Sequence, residues 1–122
     1  MISLDRMNEM LNEIADRIPP ELYGRLNGGV ALLPDCKRDE QDDTLYIMGE
    51  YCYDHMMGRR ILIYGGSFQR LFGDRSEAYL KKELEKTLKH ELTHHVESLA
   101  GERDLEIQDE IEREAYKRKR EQ

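Results

Sequence analysis

Leu80, Leu84, Leu88, Leu92, Val96 and Leu99 recur at every third or fourth position late in the chain. At 100° per residue they form a stripe about 160° wide, which only a helix can turn toward a single core. Asp74 and Glu77 have capping-box spacing, so the helix is expected to open there and continue to about Leu99, with Gly101 as its stop. His90, His94 and Glu97 fall on the opposite side, in an arc about 60° wide. One face packs while the other offers metal-binding side chains, which argues against His90 and His94 as ordinary core histidines.

The segments before this helix are short and well punctuated. Leu4, Met7, Leu11, Ile14 and Ile18 give an amphipathic helix with Ser3 as its cap, and Pro19-Pro20 ends it. Strands are expected at Val30 to Leu33, at Leu45 to Met48 and Glu50 to Tyr53 meeting at Gly49, and at Arg60 to Tyr64. The acidic stretch 35–43 reads as a solvated loop, because the spacing of a calcium hand is absent. Gly65-Gly66-Ser67-Phe68 lacks the further glycines and the lysine followed by Ser or Thr of a phosphate loop, and reads as a tight turn or a substrate-facing rim. Phe68, Leu71 and Phe72 suit a short helical segment ending at Gly73. The pattern is α+β.

A chain of 122 residues supports one core. Its 26 Asp and Glu against 19 Lys and Arg give a net charge of -7, which opposes broad attraction to nucleic acid or to an anionic membrane. The N-terminus lacks the basic start and apolar run of a secretory signal, and no apolar run reaches membrane-spanning length, so a soluble, cytoplasmic protein is expected. Cys36 and Cys52 are expected as interior thiols rather than a disulfide. Beyond Gly101, residues 102–122 carry 8 acidic and 6 basic side chains. There Ile111, Ala115 and Tyr116 offer a thin stripe for another helix, and Lys117-Arg118-Lys119-Arg120 reads as its solvated end.

His90-Glu91-Leu92-Thr93-His94 carries the chemistry. Histidines four residues apart on a helix can direct imidazole nitrogens to one Zn2+, and the intervening glutamate can serve a water on that ion as general base in peptide-bond hydrolysis. Asp104, returning after the expected turn at Gly101, is the leading third ligand. Glu97 is its rival, and Glu102, Asp109 and Glu110 stand behind them. His95 diverges from His94 by about 100° and is a poor simultaneous ligand, so it is assigned to ligand support, substrate contact or solvent. Tyr64 or Tyr53 could steady a developing oxyanion. The strand Arg60 to Tyr64 is expected to align an extended peptide by main-chain hydrogen bonds.

These features together resemble the small zincin-like metallopeptidases of bacteria, the minimal zincins. The resemblance covers most of residues 1–104: the opening helix, the Pro-Pro-Glu turn, the strand before Pro34-Asp35, the strand Arg60 to Tyr64, Phe72-Gly73, and the helix bearing His90-Glu91-Leu92-Thr93-His94-His95. It implies a compact domain with a small mixed sheet and a long active-site helix. It further implies His90 and His94 as zinc ligands, Glu91 as catalytic base, and an acid after a glycine, here matched to Asp104, as third ligand. Val96-Glu97-Ser98-Leu99-Ala100 departs from the family as an added helical turn. The expected division is a zincin-like domain over 1–104 and a charged helical extension over 105–122. A noncatalytic zinc-binding or peptide-docking domain is the alternative reading of the same residues.

Overall fold

Ser3 opens the first helix, its Oγ accepting the Arg6 backbone N–H at 3.1 Å. The computed structural model describes the chain from Met1 to Glu121 and its side chains as far as Arg118. Helix α1, Leu4–Arg17, buries Met7, Met10, Leu11 and Ile14. The two prolines halt it, and a single 3-10 turn at Pro20–Tyr23 is tied back by the Tyr23 hydroxyl, which donates to the Ala15 carbonyl at 2.9 Å.

Five strands follow: β1 Gly29–Leu33, β2 Lys37–Arg38, β3 Tyr46–Ile47, β4 Gly49–Asp54 and β5 Gly58–Tyr64. The main sheet has the order β1-β5-β4 and is mixed. β1 lies parallel to β5 with Gly29 opposite Arg60, whereas β4 lies antiparallel with Tyr51 opposite Ile61. β2 and β3 form a separate two-stranded ribbon, so the acidic stretch 35–43 holds a strand where a loop was expected. β5 is therefore the central strand with both edges paired. That corrects the expectation that Arg60 to Tyr64 aligns a peptide, because its main-chain groups are already committed. β1 and β4 are the two edge strands of this sheet, and of these β4 is the one that packs against the last helix.

Helix α2, Gly65–Phe72, begins directly on the glycine pair that was expected to form a turn. A Cβ at Gly66 would lie 2.4 Å from the Pro34 carbonyl oxygen, and one at Gly65 2.6 Å from Leu4 Cδ2. Close packing explains these glycines. Ile61 and Ile63 of β5 meet Met7, Met10 and Ile14 of α1, Phe68 of α2, and Leu80, Leu84, Leu88 and Leu92 of the last helix in one cluster. Each such burial contributes about 1.5–3 kcal/mol.

That last helix, α3, spans Glu77–Glu121, 45 residues, or about 67 Å at 1.5 Å per residue. Ser76, rather than Asp74, caps it, its Oγ accepting the Tyr79 N–H at 3.2 Å. Gly101 does not stop it. A helical glycine costs only about 1 kcal/mol against alanine, and the Leu, Ala, Glu and Arg around it are strong helix formers. The packed face also differs from the expected stripe. Steps of four residues rotate by about 40° each, so Val96 has turned out to 43% exposure while His95, three residues after Leu92, is fully buried in its place. Cys36 and Cys52 are both free, and Cys36 is exposed rather than interior. No described helix is long and apolar enough to cross a membrane.

Candidate metal centre

One turn of α3 gathers His90, Glu91 and His94, whose ligand atoms lie within 4.8 Å of one another. The two imidazoles meet edge to face with their Nε2 atoms 3.2 Å apart. Two zinc–nitrogen bonds of about 2.0–2.1 Å at a tetrahedral angle place their nitrogens about 3.3–3.4 Å apart, so the donor pair fits a single zinc ion. One helical turn imposes this: positions i and i+4 lie on one face, stacked along the axis.

Glu91 occupies a different environment. It is 5% exposed, while both histidines are exposed. Burial pushes its carboxyl above the ordinary value, the charges of His90 and His94 pull it down, and Glu50 raises it again. A cavity lined by Gly49, Glu50, Tyr51, Glu91, His94, Glu97 and Ser98 runs between α3 and the start of β4. β4 passes close because of Gly49: a Cβ there would lie 3.0 Å from Thr87 Cγ2 and 3.1 Å from the Leu62 carbonyl oxygen.

His95 is not a ligand in this arrangement, and it is not turned to solvent. Its Nε2 is 2.8 Å from the Gly24 carbonyl and its Nδ1 is 2.7 Å from the Tyr51 hydroxyl. A carbonyl only accepts, so Nε2 donates to Gly24 and Nδ1 accepts from Tyr51. Tyr51 in turn accepts from Arg59 Nη1 at 3.0 Å. Arg59, 4% exposed, also donates to Ser98 Oγ and Glu102 Oε2. This chain of bonds fastens α3 to β4, β5 and the turn after α1 directly beneath His94.

Glu97 Oε2 stands 3.9 Å from His94 Nδ1, the ring nitrogen other than the one nearest His90. Asp104 is exposed and ten residues beyond His94 on an unbroken helix, an axial displacement of about 15 Å. The turn that was to return it to the histidines does not form, so the structure leaves Asp104 apart from them. Glu102 is held by Arg59 and Arg25, while Asp109 and Glu110 lie farther along the same helix. Tyr64 is 5% exposed and donates to Glu50 Oε1 at 3.0 Å, and burial first, then Glu50, raises its pKa. By strand alternation it belongs to the sheet face opposite Tyr51. Tyr53 is 56% exposed with the Arg59 guanidinium over its ring.

Tyr51 and Arg59 are the residues that sequence reasoning missed. Alternation along Glu50 to Tyr53 separates Tyr51 from its even-numbered neighbours, but only the pairing of β4 with β5 sets it against α3.

The chain thus has an α+β fold with a small mixed sheet and a long helix bearing a His-Glu-x-x-His triad, a shape consistent with a minimal zincin. A conserved hypothetical protein from Thermus thermophilus, known by its structure, is similar at 28% identity and a TM-score of 0.71 over 82% of this chain and 99% of that one. No protein-family model and no curated protein matches the chain.

Proposed function

We propose that this protein is a zinc-dependent metallopeptidase of the minimal zincin type, holding one Zn2+ on His90 and His94 and acting on peptides or proteins. The observation that carries this reading is the pair of Nε2 atoms 3.2 Å apart beside the buried carboxylate of Glu91. A zinc ion held there by His90 and His94 would supply Lewis acidity for a carbonyl oxygen and make a water more acidic. Glu91 accepts the proton of the attacking water and passes it to the departing amine nitrogen. Its burial favours the protonated form, which suits a group that must carry a proton between two steps. The free edge of β4 beside the cavity holds the substrate as an added strand. Glu97, which shares the cavity with His94, is the acid assigned to the third protein position.

Elemental mass spectrometry of the purified chain is expected to find about one zinc per chain, lost in His90→Ala/His94→Ala. Glu91→Gln keeps the zinc and lowers turnover of a peptide library by about 100-fold or more. Glu97→Ala weakens zinc binding by about 10–100-fold, whereas Asp104→Ala leaves it unchanged. A chain that takes up no zinc on reconstitution, or loses it equally in Glu91→Gln, overturns the assignment. Stoichiometric zinc without cleavage of any peptide makes the protein a zinc-bearing docking domain instead.

A further inference from the structure

We infer that the overhanging end of α3 is a self-association surface, and that it pairs antiparallel with the same segment of a second copy of this chain. Glu102 is held against the domain by Arg25 and Arg59. Beyond it, every residue from Arg103 to Arg118 is exposed. A solvated helix needs no apolar side chains on its surface, yet Ile107 and Ile111 stand 46% and 64% exposed, along a groove shared with Glu110, Glu114, Ala115 and Arg118.

The distribution of charge selects the occupant. Residues 103–112 hold five acids and one base, and residues 113–120 hold five bases and one acid, so the two blocks carry net charges of -4 and +4. A parallel neighbour would set like blocks side by side. An antiparallel copy sets each acidic block against a basic one. On the face that would meet the partner, the two-fold register centred on Ile111 is complementary as well. It places Ile111 against its own copy, Ile107 against Ala115, and Asp104 against Arg118, each of the latter pairs occurring twice as a two-fold interface requires. At 100° per residue these five positions lie within an arc of about 80°, so one face of the helix presents them all.

The pairing is independent of the metal centre. Ile111 lies 17 residues beyond His94, about 25 Å along the axis, so both clefts stay open in the dimer. Two short helices with exposed ion pairs give a weak dimer that responds to salt.

Sedimentation equilibrium of the full chain at low ionic strength tests this, with zinc content and helicity measured beside it as controls for folding. The native chain is expected to show a concentration-dependent monomer–dimer equilibrium. Ile111→Asp, which sets two carboxylates face to face, removes the dimer. Asp104→Arg and Arg118→Asp each weaken it by about 10-fold, a difference of about 1.4 kcal/mol. Their combination, which restores opposite charges across the two-fold, recovers the native constant. A chain that is monomeric at every concentration overturns the proposal. So does a dimer indifferent to Ile111→Asp, which would lie on another face, and so does a double variant no better than its singles, which would mean the antiparallel register is wrong. Because the metal assay reads zinc on the same samples, loss of either proposal leaves the other standing.

Discussion

The two ends of α3 are helical for different reasons. From Glu77 to Glu102 the helix is held by what it touches: Leu80, Leu84 and Leu88 are at most 1% exposed, and His95, Ser98 and Glu102 join the bonds beneath the site. From Arg103 to Arg118 every residue is exposed, and the helix relies on strong helix formers and on continuity with an already nucleated turn. The stretch that carries His90, Glu91 and His94 is thus rigid because the core immobilises it, whereas the overhang contributes length and charge. Precision at a site comes from packing. Local propensity is enough to project a surface.

That contrast makes the largest difference in the core. Leu88→Ala, at a fully buried position, should cost about 2–5 kcal/mol in chemical denaturation. Leu105→Ala on the overhang, 67% exposed and off the proposed pairing face, should stay within about 0.5 kcal/mol. Comparable losses at the two positions would mean that the overhang is packed against the domain after all.

A smaller effect tests the junction between the two ends. Arg25 and then Arg59, by hydrogen bonds, hold the Glu102 carboxyl below its ordinary value. Its folded pKa is depressed, so its contribution to stability is present at neutral pH and is lost as pH falls through that depressed value. Glu102→Gln should therefore lower Tm most near pH 7, with the difference from the native chain shrinking once pH drops below the usual glutamate value of about 4.3. A difference that stays constant across that range would show that the ion pairs do not fasten the junction.

The most local effect is expected at Gly101. A Cβ there meets nothing within 4 Å, so Gly101→Ala should add about 1 kcal/mol to helix stability beyond this point. Hydrogen exchange should slow in the overhang and remain unchanged at Leu84 and Leu88, which open only with the whole domain. Slowing in both regions alike would join the two ends into one cooperative unit.

Much of this was legible in the chain itself. Ser3 as a cap, the ends of α1 at the prolines, the strand before Pro34, and the opposition of the leucine face to His90 and His94 all follow from spacing, because periodicity and capping are local. The failures also have local causes. Gly101 and Asp74 are ordinary helix punctuation, each outweighed by neighbours: Gly101 by strong helix formers, Asp74 by Ser76 two residues nearer the first turn. Asp104 was matched to the metal through a helix stop expected before it and through a resemblance that puts an acid after a glycine, and the stop does not form.

The sequence by itself determined the α+β pattern, the long helix and the pairing of two histidines on one turn, since a fixed rotation per residue suffices for each. Tertiary structure decided which edge strand lies beside the helix that bears the histidines, that His95 goes inward while His94 stays outward, and that Tyr51 and Arg59 support the site from beneath. Those outcomes depend on partners distant in the chain: Tyr51 and His95 are 44 residues apart, and no rule of spacing brings them together. The pairing of β4 with β5, and the packing of α3 across both, does.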